Sequence, residues 1–339
     1  MSGAPAIPVC VLTGFLGSGK TTMLGHLLRQ PEFSRTAVII NEFGEIGLDH
    51  ELIEASEDSV IALTTGCLCC KVRTDLVETL QDLLRRRDAG AFPQKFDRVV
   101  IETSGLADPA PILHALMTDV GLAGRLALDG VVTAVDAVTG EATLEREAIS
   151  RKQVAVADRI VLSKLDLTQG LAPALASRLA ALNSAAPTLR AVHGRIEAAS
   201  LFGAAPRDAA TGAHDVGSWL AQASGPAHDH HDAEIKTYTV VRVAPIRAVA
   251  LTLFLEALAE HCGADLLRLK GIVNIAESPD RPAVIHGVQH VFHAPAWLER
   301  WPSADRASRM VFITRRIPRR WVEALLDAIG AEVAGVIGR

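Results

Sequence analysis

The sequence predicts an α/β protein: a doubly wound, mostly parallel sheet followed by a smaller α+β domain. Three observations carry this reading. A short apolar run at residues 9–12 leads through a glycine-rich stretch into residues at helical spacing, 23–28. Buried-type strands and helical stripes then keep alternating as far as residue 182, the pattern of a parallel sheet crossed by helices. Beyond residue 233 the pattern changes to strands with period-two alternation, a helix at 248–258 and a terminal helix.

Taken in order, the first element is VCVL, a buried parallel strand. Gly14, four residues, then Gly19, Lys20 and Thr21 follow it and open a helix, which is the order a phosphate-binding loop requires. Gly14, Gly17 and Gly19 can take backbone angles denied to other residues, so consecutive N–H groups can face a polyphosphate on the helix N-terminus. Lys20 is expected to reach the β- and γ-phosphates and Thr21 to hold Mg2+. The competing reading is a Gly-rich turn before an ordinary helix.

Residues 37–40 (AVII) form a second strand, and NEFGEIGLD at 41–49 is a candidate nucleotide-sensing loop. A third apolar run, 60–63, ends in TTGCLCC, and Leu76, Leu80, Leu83 and Leu84 then stripe a helix that ends near Gly90. Two further strands deliver Glu102 and Asp136 at their ends, where open α/β sheets keep their sites. The strand RIVL at 159–162 leads into Ser163, Lys164 and Asp166, and a leucine-rich helix spans about 171–182. The expected domains are 1–203 and 234–339, joined by a flexible, histidine-containing linker at 204–233. The second domain carries a strand at 236–243, the KGIVNIA segment, a strand-like HGVQHVFH, the strand MVFIT and a helix after Pro318, with no internal repeat.

The chain has 339 residues, 49% of them hydrophobic, enough for two domains and a large core. Its net charge of −5 gives no general reason to bind nucleic acid or an anionic membrane. The opening MSGAPAIPVC lacks a basic leader region, Ser2 excludes a myristoylation signal, and no apolar run reaches membrane-spanning length. Three of the five cysteines crowd into Cys67, Cys69 and Cys70. That spacing is no disulfide framework, and it suggests a reducing cytoplasm with a metal or redox role for the cluster.

Three groups of residues carry the main candidate chemistry. Ser163-Lys164-Leu165-Asp166 stands where Asn-Lys-x-Asp confers guanine specificity: the Asp accepts two N–H bonds from the base and the Lys packs on its face. With Ser in place of Asn, guanine is expected over adenine, and a helix-capping loop is the alternative. Glu102 sits where an acidic residue would hold Mg2+, and Gly105 can offer an N–H to the γ-phosphate; a strand-capping Glu is the rival reading. No residue stands out to orient the attacking water, so hydrolysis is expected to be slow without a partner. Cys67, Cys69 and Cys70 can converge on one ion such as Zn2+ or Co2+, with redox chemistry and inert packing as the other readings. The fourth ligand is open between Glu42, a water and a His. Among weaker features, His228, His230 and His231 are either a loose metal-collecting site or solvated linker. Were HGVQHVFH one strand, His286 and His290 would share a face and His293 take the other. Arg315, Arg316, Arg319 and Arg320 read as a solvated basic face or, less simply, a docking patch.

These motifs, GFLGSGKTT, NEFGEIGLD, GCLCC, ETSGLADP and SKLD in order, with KGI and HGVQHVF in the second domain, closely resemble the CobW-like P-loop GTPases. The resemblance covers nearly the whole chain, and GCxCC is its specific part. It implies a SIMIBI-type GTPase domain with a CobW C-terminal domain, whose Cys motif binds Zn2+ or Co2+ near Mg-GTP. Residues carried over are Gly14 to Thr22, including Ser18 and Thr22, with Glu42, Cys67, Cys69, Cys70, Glu102 and Asp166. Lys20 and Glu102 are the residues expected to act on the reaction. The resulting expectation is a cytoplasmic GTPase that binds a transition metal while GTP holds its switch segments closed and releases it, after hydrolysis, to a client metalloprotein or metal-cofactor enzyme. Homodimerisation is left open. The rivals are a metal store or sensor with incidental nucleotide binding, and a redox-regulated NTPase.

Overall fold

A computed structural model of the chain describes residues 6–41, 62–64, 72–92, 95–168, 170, 172–202 and 234–337. It divides into two compact units, Met1–Arg178 with Ala186–Ala204, and Leu179–Ala185 with Ala205–Arg339. The expected linker at 204–233, with His228, His230 and His231, lies outside the described residues.

The first unit contains β1 (Ile7–Gly14), α1 (Lys20–Leu27), β2 (Thr36–Asn41), β3 (Ala62–Thr64), α2 (Val72–Asp88), β4 (Arg98–Thr103), α3 (Ala110–Thr118), β5 (Leu126–Asp136), α4 (Gly140–Arg146), α5 (Ala148–Ala155), β6 (Arg159–Ser163) and β7 (Thr188–Arg190). Helix α6 (Pro173–Leu182) is divided between the two units. The strands lie in the order β3-β2-β4-β1-β5-β6-β7, every neighbouring pair parallel. Such strands are covered on both faces, which is why their sequences are continuous apolar runs: Val9, Cys10, Val11 and Leu12 are all buried. On one face Cys10, Leu12, Val38, Ile40, Val100 and Val132 pack with Met23, Leu24 and Leu27 of α1. Leu76, Leu80, Leu83 and Leu84 are buried along α2, as the helical stripe predicts. The chain winds outward from β1 through β2 and β3, returns to β4 beside β1, then crosses to β5. The crevice at the carboxyl ends around β1 is therefore the switch point where such sheets hold ligands.

The second unit contains β8 (Ile235–Arg242), α7 (Ala248–Cys262), β9 (Leu266–Val273), β10 (Ala283–Val288), β11 (Val291–Phe292), β12 (Ala296–Trp297), β13 (Ser308–Arg315) and α8 (Arg319–Ile337). Its sheet is antiparallel, ordered β11-β10-β9-β13-β8 with β12 beside β10. Phe254 and Leu258 of α7, Val322 and Leu326 of α8, and Tyr238, Met310 and Phe312 of the sheet share one core. Tyr238 stacks on Phe312 at 5.6 Å between ring centroids. This is the expected α+β domain.

One expected element is corrected. HGVQHVFH is not a single strand but a hairpin: β10 ends at Val288, and β11 returns with Val288 opposite Val291 and Gly287 opposite Phe292. Gln289 takes the left-handed φ of 53° that a two-residue turn demands. His286 and His290 thus share no strand face; instead the His293 N–H donates to the His286 carbonyl at 3.0 Å. Burial, helped by Arg268, lowers the His293 pKa and favours its neutral form. The arginine cluster is a solvated face with its own partners: Arg315 pairs with Asp265, Arg316 with Glu234 and Arg319 with Glu323. Among the described residues no helix is long and apolar enough to cross a membrane.

Candidate nucleotide site and metal-binding segment

Strand β1 delivers the loop. Gly14, Gly17 and Gly19 hold φ values of 140°, 72° and 83°, and Gly19 is the left-handed N-cap of α1. A Cβ at Gly14 would lie 2.3 Å from the Ala134 carbonyl oxygen of β5, so only glycine lets the loop leave the sheet here. Lys20 opens α1 and is buried. Its ammonium donates to the carbonyls of Gly14 at 2.8 Å and Phe15 at 3.2 Å, the acceptors a desolvated charge needs. These are carbonyls of the loop itself, so the charge already sits at the cradle that a polyphosphate would enter.

Thr21, the next residue, donates its hydroxyl to Glu102 Oε1 at 2.8 Å across 81 residues of sequence. The register Leu12–Glu102 between β1 and β4 brings them together, and the buried Thr13 and Thr103 hydroxyls bond at 2.8 Å beside them. The two residues assigned to Mg2+ on separate grounds are thus in contact, with hard oxygen atoms of the kind that ion takes. Gly105, in the turn after β4, is pressed on the loop: a Cβ there would lie 2.6 Å from the Leu16 nitrogen.

The Ser163-Lys164-Leu165-Asp166 segment is tied to the same loop. Ser163 Oγ donates to the Ser18 carbonyl at 2.7 Å, so the serine found in place of asparagine links β6 to the phosphate loop. Lys164 has a left-handed φ of 57°, and its ammonium meets Asp136 Oδ2 at 2.7 Å. Burial alone would raise the Asp136 pKa; the Lys164 bond and the N–H groups of Val138 and Thr139 outweigh it, and the net shift is downward. Asp166 accepts the His193 N–H at 2.9 Å, the main reason its pKa is lowered, and His193 Nδ1 lies 3.1 Å from its other oxygen. The carboxylate is therefore favoured in its ionised form. Thr22 is exposed on α1, where a Cβ on Gly194 would lie 2.9 Å from its methyl. Sequence reasoning missed His193. Its only signal was the following glycine, and its partner lies 27 residues away.

Glu42, Cys67, Cys69 and Cys70 lie outside the described residues. The strands preceding them are parallel neighbours, with Val38 opposite Ala62 and Ile40 opposite Thr64, and both end at the sheet edge that carries Gly14 and Glu102. Cys10 and Cys262 are buried free thiols; burial drives the Cys10 pKa far up and that of Cys262 to about 11, so neither is a ready thiolate ligand. Among the described residues no group of three His, Cys, Asp or Glu side chains is placed to hold a metal.

Comparison with known proteins places the chain among others. Residues 8–190 match the CobW/HypB/UreG nucleotide-binding domain, and residues 235–330 the cobalamin synthesis protein cobW C-terminal domain. The chain is 36% identical over 320 residues to the zinc chaperone YjiA of Escherichia coli K12, covering 94% of this chain and 97% of that protein. It is 32% identical over 307 residues to the zinc chaperone CobW of a Sinorhizobium species, covering 81% and 83% respectively. The crystal structure of the Zn(II)-bound YjiA GTPase superposes with a TM-score of 0.73 at 30% identity, covering 96% of this chain and 99% of that one.

Proposed function

The chain belongs to the CobW/HypB/UreG family, with a cobW C-terminal domain, and on that premise we propose that it is a slow GTPase that acts as a metallochaperone. It takes Zn2+ or Co2+ through Cys67, Cys69 and Cys70, with Glu42 as fourth ligand, and passes the ion to a client metalloprotein or metal-cofactor enzyme. The names of its relatives, zinc chaperones and a zinc-regulated GTPase metalloprotein activator, favour zinc as cargo. The domain assignment is 1–203 for nucleotide, 204–233 for a histidine-containing linker, with His228, His230 and His231 as secondary metal candidates, and 234–339 for the CobW-type domain. A cysteine spacing that is no disulfide framework fits a reducing cytoplasm.

The contact between Thr21 and Glu102, beside Lys20, carries the nucleotide half of this reading. Thr21 and Glu102 would hold Mg2+, which neutralises phosphate charge when bound. Lys20 would trade two loop carbonyls for phosphate oxygens, Gly105 would present its N–H to the γ-phosphate, and Asp166 with Lys164 would hold guanine. The 42–49 and 104–109 segments follow β2 and β4, strands paired side by side, while the cysteines follow β3 on the other side of β2 in sheet order. Two ligands that bias one such group of segments tighten each other's binding by linkage.

The test is a Co2+ titration of reduced protein by absorption, with Mg2+ and either GDP or a non-hydrolysable GTP analogue. Intense thiolate-to-cobalt charge transfer, tighter with the analogue and lost in Cys67→Ser, Cys69→Ser and Cys70→Ser, is the expected result. Equal affinity in both nucleotides would defeat gated delivery. Several nucleotide-independent ions would indicate a store or sensor, and absent thiolate bands with reversible oxidation changing activity would indicate a redox-regulated NTPase.

A further inference from the structure

We infer that Gln153, on α5 and in none of the motifs above, is a positioning residue for the γ-phosphate-sensing turn after β4; this rests on the nucleotide reading. Gln153 is fully buried. Its Nε2 donates to the carbonyls of Gly105 at 3.2 Å and Ala107 at 3.1 Å, so both N–H bonds of one amide grip the two sides of Leu106. The backbone of Gln153 is anchored in turn, because Thr133 Oγ1 of β5 donates to its carbonyl at 2.8 Å. Its neighbour Lys152 holds Asp108 Oδ2 at 3.1 Å, and Asp108 Oδ1 accepts the Ala110 N–H at the start of α3. Two adjacent residues of α5 therefore clamp the turn.

Two further observations point beyond packing. The Gln153 Oε1 is buried with no donor among the described residues, a cost that an apolar side chain of similar volume would avoid. Gly105 is held on one side by this amide and on the other by the backbone of Leu16, where a Cβ has no room, while its own N–H has no acceptor among the described residues. The clamp thus fixes a backbone donor against the phosphate loop before ligand arrives, the preorganisation that charge recognition rewards.

The experiment compares Gln153→Met, which keeps volume and loses both bonds, with wild type, measuring affinity for Mg-GDP and for a non-hydrolysable Mg-GTP analogue, and kcat for GTP. GDP binding within about twofold of wild type, with analogue affinity and kcat each down about tenfold, is expected, since only the γ-phosphate meets the turn. An unchanged analogue-to-GDP ratio, or an equal loss of both, would overturn the assignment and leave Gln153 a packing residue. If Gln153→Met does not fold, Lys152→Ala, at a half-buried position, decides: the ratio should fall about threefold, and an unchanged ratio rejects the clamp. A wild-type chain that binds neither nucleotide would instead overturn the proposed function itself, a distinct result visible before any variant is made.

Discussion

A carboxylate at a strand end needs donors, and Asp136 has three: the Lys164 ammonium and the N–H groups of Val138 and Thr139. Asp136→Asn keeps an acceptor for the two N–H groups and loses the charge that holds Lys164. The expected cost is about 1 kcal/mol, modest because Lys164 is half-exposed and water screens the pair. Asp136 has a lowered pKa in the folded chain, so this contribution is present above its ordinary value near 3.8 and is lost as pH falls through the folded value. Urea unfolding should therefore show the same difference between variant and wild type at pH 7 and pH 5.5, shrinking only below about pH 4. A difference that vanishes by pH 5.5 would assign it to another group. Gly14→Ala sets a Cβ 2.3 Å from a backbone oxygen at a φ of 140°. It should cost at least about 2 kcal/mol by denaturant unfolding and abolish nucleotide binding. The glycines, Lys20 and Thr21 were legible as residues because they follow one another in the chain. Ser163 with Ser18 and His193 with Asp166 were not, because those partners are 145 and 27 residues apart and only folding brings them together.

Among elements, α2 and the β10–β11 hairpin show why some patterns read true and others do not. The stripe of Leu76, Leu80, Leu83 and Leu84 has helical spacing, and all four are buried. Leu80→Ala, in a fully buried site, should cost about 3 kcal/mol in denaturant unfolding. The hairpin misled because its two-residue turn is Gln289-His290, without the Asn-Gly or Asp-Gly that normally announces one, and apolar residues resume directly after it. Gln289→Gly removes a left-handed non-glycine residue and should raise stability by about 0.5–1 kcal/mol, the relief of φ strain exceeding the added freedom of the unfolded chain. A lower unfolding midpoint would show that the Gln289 side chain supplies more than its backbone strain removes.

At the scale of the whole molecule, the two units have separate cores, one of them centred on Phe254 and Phe312 and the other on the parallel sheet. Mg-GDP at about a hundred times its Kd should stabilise the first unit by about 2.7 kcal/mol. Calorimetry should show one transition moving to higher temperature while a second stays; a single shifted transition would mean that the units unfold together. The sequence by itself determined the alternation of strands and helices and the glycine-rich loop after β1, and it singled out the SKLD segment and the cysteine cluster as candidates. Each is written in neighbouring residues and follows from local geometry, periodicity and ligand chemistry. Only the tertiary structure decided that Thr21 meets Glu102, that Ser163 ties β6 to the loop, that His193 holds Asp166 and Asp136 holds Lys164, and that Gln153 grips the turn after β4. The physical reason is strand order: β1 lies between β4 and β5, so its loop is bounded by residues far along the chain, and no local pattern encodes which strands become neighbours.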